Sequence, residues 1–398
     1  MSDTSDYGID KAHKRETERY LDFQLGHITE KTFVVDQSLP FEHAIAYFNR
    51  EKEASSIAVE EGDKVIGVMT RETAMAKSTS RIEMFKGKTV RAYLADDTIR
   101  FDASDFCEKA FSQIIKMEEK KIENLIIYEG THFFGIIPYH HLIRHTNKIR
   151  EMAYEQAHYI QQFFLEKSAK EIEGLDFADF IRMAHHVGGD YYHVRRISDS
   201  ESLFACFDVA SKDIAASLTT GLLSSFFSMY FQEHAGDYDP KDMVKSLNAI
   251  LTEQTPTDIF VVALVISFDV NKKTVRIFNH GYSPLYVCSP SGGTSAKLSR
   301  IRPSLMPLGI SNDIDFETGM QEMKILSRMR FFMCSDGLLD AMDINGNRYG
   351  DERIKNFVRS HITSKPEGFM KALVEEYDAF TRDAVQVDDF TAIMIEVQ

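Results

Sequence analysis

Cysteine is scarce: four residues, Cys107, Cys206, Cys288 and Cys334, in a chain of 398. They are scattered without C-x-x-C spacing and three lie inside apolar runs, so neither a zinc site nor a disulfide framework is expected, and a reducing cytoplasm fits best. Long apolar runs are missing too; no stretch approaches the roughly 20 residues that a membrane helix needs. The opening MSDTSDYGIDKAHKRETERY is polar and mixed in charge, without the apolar centre of a signal peptide, and no membrane association is expected. Positive charge is in deficit, with 46 Lys and Arg against 61 Asp and Glu and a net charge of −15, which argues against the basic footprint of a nucleic-acid binder. The deficit is uneven. Residues 1–150 hold 22 basic and 25 acidic residues (net −3), leaving 24 and 36 (net −12) for residues 151–398. Solvated surface explains such an excess as well as metal-binding carboxylates do, so the asymmetry directs attention without deciding anything.

The length calls for more than one domain. A polar tail (1–28) precedes a first module (29–145), a helical connector (146–173) and a larger second module (174–398). The first module contains an internal repeat. FEHAIAYFNR has the apolar period of a helix and leads into SSIAVEEGDKVIGVMTRETA; DFCEKAFSQIIKM does the same and leads into IENLIIYEGTHFFGIIPYHHLI. Each half reads helix, strand, acidic-Gly turn, strand ending in Gly-apolar-apolar, then a helix start. Duplicated units of this kind usually pack against each other. The connector, His145–Gly174, has no proline, and no glycine before its end. Ile149, Met152, Ala153, Ala157, Ile160 and Phe164 recur at steps of three and four, which predicts one apolar stripe. That stripe serves either packing within its own domain or pairing with a twin in a homodimer.

The first module resembles a tandem pair of CBS domains. In that family the second strand ends Gly-apolar-apolar-Ser/Thr, with an Asp three residues on, and the two side chains hold an adenine nucleotide. The first copy here keeps Thr70 but has Thr73 at the Asp position; the second has Pro138 and His141. The resemblance therefore implies the fold and a possible small-molecule ligand, while the carboxylate for a ribose is absent from both copies.

The second module carries a different pattern. FFMCSDGLLDAMD, Phe331–Asp343, is an apolar block that stops abruptly at Ser335-Asp336-Gly337. An Asp-Gly pair alone is a common turn. It has companions, however: Asp190 follows Gly188-Gly189 and opens an aromatic stretch, Asp208-Val209 ends the run Leu203–Phe207, and Asp388-Asp389 precedes the strand-like AIMIEV. Four strand-associated segments each bring a carboxylate to a strand end, which favours a shared site. Grouped carboxylates repel unless cations neutralise them, and hard cations such as Mg²⁺ and Mn²⁺ take oxygen ligands. The glycines beside Asp190 and Asp336 are expected to let backbone and metal waters come close. The fourteen histidines, among them His140-His141 and His185-His186, show no metal spacing and read as surface or core residues.

The order of these segments resembles the metal-dependent PPM-type Ser/Thr protein phosphatases of the SpoIIE/RsbU branch. The likeness runs from about Ala153 to Val397 through A-x-x-I-Q-x-x-x-L (Ala157, Ile160, Gln161, Leu165), VGGDYYHV, FDVASKDIAASL, NHGYSP, MPLGI, SDGLLDAMDINGNRYGDERI and DDFTAIMI. It implies two divalent cations, Mn²⁺ or Mg²⁺, with Asp208 bridging them and the Val209 carbonyl assisting. By the same resemblance Asp190 serves one metal, directly or through water, and Asp336 and Asp388 hold the other; Asp389 is the neighbour to consider if the register slips by one. The family's usual Asp-Val-Ser-Gly-His/Lys-Gly reads Asp208-Val209-Ala210-Ser211-Lys212-Asp213, losing both glycines, and its Asn-Ala-Gly-His reads Asn279-His280-Gly281-Tyr282. The expected architecture is α+β: a tandem CBS module, a linker helix and a phosphatase domain of two packed sheets flanked by helices. TGLLSSFFSMYF is expected as a buried helix on the sheet and Ser289–Lys297 as a surface loop. The expected activity is hydrolysis of phosphoserine or phosphothreonine on a partner, by family likeness an anti-sigma-factor antagonist of the STAS type. The competing expectation is a catalytically weak signal-binding scaffold.

Overall fold

The computed structural model describes residues 23–78, 88–94, 98–117, 122–165, 171–211, 213–234, 237–290 and 296–398. Most of the expected polar tail, the connector's residues 166–170, Lys212 and the centre of the Ser289–Lys297 loop lie outside the described residues. The chain divides into two compact units, Met1–Ala153 and Tyr154–Gln398.

The first unit repeats one arrangement. Its elements are α1 (Leu25–Ile28), β1 (Val34–Asp36), α2 (Phe41–Arg50), β2 (Ser56–Glu61), β3 (Lys64–Thr70), α3 (Arg71–Ser78), β4 (Thr98–Asp102), α4 (Cys107–Ile115), β5 (Asn124–Glu129), β6 (His132–Pro138) and the start of α5 (Tyr139–Leu165). In both three-stranded sheets the first strand runs parallel to the second and the second antiparallel to the third. The acidic-Gly turns fall where expected, with Gly62 at φ 63° and Gly130 at φ 60°, a conformation that glycine adopts without strain. Helix α2 buries Phe41, Ala44 and Phe48 against Ile57, Val59 and Met69, and α4 buries Cys107, Ala110 and Ile114 against Leu125, Ile127 and Ile137. The opposite strand faces join through Ala58, Val65, Val68, Ile126 and Ile136. Strands covered on both sides read as unbroken apolar blocks, which is why SIAV and LII do not alternate. At the positions compared with the nucleotide-binding pattern, the Thr70 hydroxyl accepts from the Thr73 N–H at 3.1 Å and caps α3, while His141 Nδ1 lies 2.7 Å from Glu30 Oε1.

The connector differs from its expected bounds. The helix begins at Tyr139, because the closing helix of the second repeat and the connector are one continuous element, and it ends at Leu165. Its stripe also divides. Ile149, Ala157 and Phe164 are half-buried, but Met152 and Ile160 are exposed together with Tyr159 and Phe163.

The second unit is a four-layer sandwich. Strands β7 (Leu175–Arg182), β8 (Asp190–Arg196), β9 (Glu201–Val209), β10 (Val261–Asp269), β11 (Thr274–His280), β12 (Leu285–Pro290), β13 (Ala296–Ile301), β14 (Gln321–Lys324), β15 (Arg330–Cys334) and β16 (Phe390–Val397) form two antiparallel sheets, ordered β14-β11-β10-β9-β8 and β13-β12-β15-β16-β7. The helices are α6 (Asp213–Glu233), α7 (Pro240–Gln254), α8 (Phe316–Gly319), α9 (Asp336–Leu339), α10 (Gly350–Ser360) and α11 (Pro366–Phe380). Phe204, Phe268 and Phe331 pack edge to face between the sheets. Phe227 of α6 stacks on His193 at 4.4 Å outside one sheet, and Tyr377 of α11 stacks on Phe390 at 4.5 Å outside the other. Within α6, Ile214–Glu233 is long and apolar enough to cross a membrane by length and composition alone, which corrects the expectation that no stretch approaches that length: its serines, threonines and glycine interrupt the apolar residues without adding charge. Its Leu223, Phe226, Phe227, Tyr230 and Phe231 are buried in the core beside the first sheet, as expected for a core helix.

Candidate active site

The acidic strand ends meet at one edge of the sandwich. Strands β8 and β9 pair so that Asp190 lies directly opposite Asp208. Side chains alternate along a strand, so Asp208 shares its face with Cys206, whose Sγ lies 3.3 Å from Met333 Sδ of β15. Both carboxylates therefore face the space between the sheets. From the other sheet, β15 delivers Asp336 and β16 is preceded by Asp388. Ser335 clamps these two segments: its N–H donates to the Thr391 carbonyl at 2.8 Å, its hydroxyl donates to the Asp389 carbonyl at 3.0 Å, and that hydroxyl accepts from the Thr391 N–H at 2.9 Å.

Asp208, Val209, Asp336 and Asp388 line one pocket of about 560 Å³ together with Ala210, Phe260, Val262 and Tyr282. Asp336 and Asp388 are exposed in it and Asp208 is half-buried. The Val209 carbonyl closes a tight turn by accepting from the Ser211 N–H at 2.6 Å. Asp190 is not on the pocket wall. It is 2 % exposed and lies beneath, accepting from the Thr391 hydroxyl at 2.5 Å. Burial first, then the charges of Asp208 and Asp389, push the Asp190 carboxyl well above the usual carboxylate range. Asp336 is also pushed up, by desolvation on its protein-facing flanks and then by Asp388 and Asp340. Among the described residues no three His, Cys, Asp or Glu side chains converge on one point that could hold an ion. The expected shared site is thus three carboxylates around a pocket and a fourth below it. Like charges held this close repel, which opposes tighter convergence.

Asp389, adjacent to Asp388, does something else. Its Oδ1 accepts from the Ala184 N–H at 2.7 Å, and its Oδ2 accepts from the Gly189 N–H at 2.8 Å and the Asp190 N–H at 3.3 Å. It ties β16 to the loop that leads into β8. The glycines allow this close packing, as expected of their backbone. A Cβ at Gly337 would lie 1.8 Å from the Asp389 carbonyl oxygen, and one at Gly188 would lie 2.0 Å from Asp389 Oδ2.

Two functional candidates were named in sequence without a role. Gln161 of α5 is buried; its carboxamide donates to the Gly188 carbonyl at 2.8 Å and accepts from the Gly188 N–H at 3.1 Å. It also donates to the Thr220 hydroxyl of α6 at 3.0 Å. Nearby, Tyr154 stacks on His186 at 5.6 Å. The signal was present in the step of four through Ala157, Gln161 and Leu165, which puts an amide on the buried face. The second candidate is Tyr282, noted in sequence only as a lost histidine.

Comparison with known proteins follows the same half of the chain. The family model of Stage II sporulation protein E (SpoIIE) matches residues 198–398, just over half of the chain. Protein IcfG of Synechocystis sp. is 21% identical over 271 residues, covering 62% of this chain and 42% of IcfG. Stage II sporulation protein E of Bacillus subtilis is 23% identical over 159 residues, 40% of this chain and 18% of that protein. The chain thus spans less than half the length of either curated relative. Among solved structures, the SiaA-PP2C domain of Pseudomonas aeruginosa superposes with a TM-score of 0.55 at 16% identity, covering 64% of this chain and 99% of that domain. That likeness is one of fold.

Proposed function

Because the chain belongs to the Stage II sporulation protein E family, we propose that its second unit is a metal-dependent phosphatase acting on phosphoserine or phosphothreonine of a partner protein. One observation carries the reading: Asp208, Asp336 and Asp388 share a pocket whose described lining holds no lysine, arginine or histidine. A phosphoryl group is anionic, so such a wall admits it only with cations between. The donor set fits hard divalent ions, being carboxylates plus the nearby Val209 carbonyl. In this reading Asp208, assisted by the Val209 carbonyl, would be shared by two Mn²⁺ or Mg²⁺ ions, Asp336 and Asp388 would hold one of them, and Asp190 would serve the other, directly or through water. When bound, the ions supply the charge that clamps the phosphoryl group and acidifies an attacking water. The chain's part is to hold the carboxylates in place through Ser335 and Asp389 and to close the floor with Phe260, Val262 and Tyr282. The test is hydrolysis of p-nitrophenyl phosphate and phosphopeptides with Mn²⁺, silenced by EDTA. No turnover at saturating metal favours the scaffold reading, which Asp190's place below the wall and the glycine-free turn after Asp208 support.

Family membership suggests a phosphorylated anti-sigma-factor antagonist of the STAS type as substrate. The duplicated first unit suits a tandem CBS sensor, with or without a small-molecule ligand. The four buried free thiols suit a reducing compartment such as the cytoplasm. Control through α5 is supported by Gln161, which holds Gly188 two residues from Asp190. Gln161→Ala is expected to lower kcat about tenfold and to raise the Mn²⁺ requirement with little change in KM for the phosphopeptide. Equal kinetics at every Mn²⁺ concentration would confine Gln161 to packing.

A homodimer is supported by the exposed apolar face of α5, where Tyr159 is 73%, Ile160 53% and Phe163 54% accessible. A charge in such a seam is costly, so Ile160→Asp is expected to shift the light-scattering mass from dimer to monomer. A wild type that stays monomeric at high concentration removes the dimer from the proposal.

A further inference from the structure

We infer that Tyr282 is a positioning residue whose phenolic O–H, presented from the pocket floor, orients the Asp208 carboxylate for cation binding. The inference rests on the reading of this pocket as a cation site, and it starts from a hydroxyl that packing does not explain. Tyr282 is 2% exposed, belongs to the main hydrophobic core of the second unit, and lines the same pocket as Asp208. Its oxygen is buried without a well-formed hydrogen bond, the Cys206 sulfur, a weak acceptor, being the one group near enough to compete for its proton. The groups whose charges act on it include Cys206, Asp190 and Asp208. Elsewhere the chain gives buried tyrosine hydroxyls a partner: Tyr192 donates to Asp179, Tyr286 to Asp351 at 2.5 Å, Tyr349 to Glu376 at 2.9 Å and Tyr238 to Ser267 at 3.3 Å. Among the described residues Tyr282 alone of the tyrosines has an orphaned buried hydroxyl.

An interior hydroxyl with no partner is a cost that phenylalanine avoids. Phenylalanine is what this core uses at Phe204, Phe207, Phe268, Phe278 and Phe331, all fully buried. The position is also rigid. Gly281 turns the chain at φ 78°, with the site of an added Cβ 3.1 Å from Pro307 and 3.3 Å from Val262, and Val262 is the cross-strand neighbour of Asp208. A rigid donor lining the same pocket as the carboxylate read as shared by the ions suits orientation of a ligand oxygen, as second partners of metal ligands commonly do. Asp208, not Asp190, shares the pocket wall with Tyr282.

The test compares wild type, Tyr282→Phe and Asp208→Asn as full-length, EDTA-stripped proteins. Mn²⁺ affinity is measured by titration calorimetry at two pH values, and melting temperature is measured in EDTA. Tyr282→Phe is expected to bind Mn²⁺ about tenfold more weakly, with the deficit larger at the lower pH, where protons compete harder for the carboxylates. Its melting temperature in EDTA should equal or exceed that of wild type, because the orphaned hydroxyl is gone. Wild-type affinity in Tyr282→Phe overturns the inference, and so does a weaker affinity accompanied by a lower melting temperature, since packing then explains both. A wild type that takes up no Mn²⁺, like Asp208→Asn, overturns the cation-site reading itself and this inference with it.

Discussion

Asp208→Asn and Asp336→Asn should each lower Mn²⁺-dependent phosphopeptide hydrolysis by about 10³-fold or more, the size of the several kcal/mol that metal-ion charge contributes to such reactions. Neither should melt below wild type in EDTA. The two halves of this expectation have separate causes. Asparagine keeps the shape of aspartate but removes a negative charge from a pocket wall that offers cations little except charge. For the metal-free fold the same change is a relief. Asp208 sits directly across from Asp190, and Asp336 has its carboxyl pushed up by partial desolvation against the protein and by Asp388. Turnover of a phosphopeptide over a full Mn²⁺ titration, beside thermal melts in EDTA, checks both. Near-wild-type turnover at saturating metal in either variant would remove that carboxylate from the site. A large loss of melting temperature would instead mark it as structural.

The site was legible in sequence to the extent that it depends on strands. FFMC reads as a strand because both faces are covered, one by Phe268 and the other by Phe369, and a block that ends in Asp336 must end where the sheet ends. The same logic located Asp208 after Phe207 and Asp388 before Phe390. The helix stripe on α5 was legible as a period but not as a surface. Three-and-four spacing says which residues share a face, and it cannot say that Gln161 meets a backbone turn while Ile160 meets solvent. Asp190 shows the same limit. Its hydroxyl partner, Thr391, is 201 residues away, and no local pattern announces a contact across that separation. The glycines beside the carboxylates were legible as places of close approach; that Asp389 is what approaches Gly188 and Gly337 was not, because it lies far along the chain.

Asp388 and Asp389, one residue apart, should fail in opposite ways when each becomes alanine. Asp389 is 7% exposed and accepts from three backbone N–H groups on the loop into β8. Alanine at that position leaves those donors without their acceptor, which costs roughly 3–5 kcal/mol for charge-assisted bonds in a buried setting. Asp389→Ala should therefore lower the denaturant midpoint in EDTA, and it should lose activity because the loop that positions Asp190 is no longer tied to β16. Asp388 is exposed in the pocket, and the one bond given to its carboxylate is local, from the Asp389 N–H at 3.0 Å. Asp388→Ala should keep the wild-type midpoint while Mn²⁺ affinity and turnover fall together. Denaturant unfolding in EDTA and Mn²⁺ calorimetry on both variants separate the two roles. If Asp389→Ala keeps its midpoint and loses only metal, the register is off by one residue and Asp389 is the ligand. Asp388 sits at a bend before β16 with its side chain exposed, whereas the three N–H groups around Asp389 hold that carboxylate in the protein.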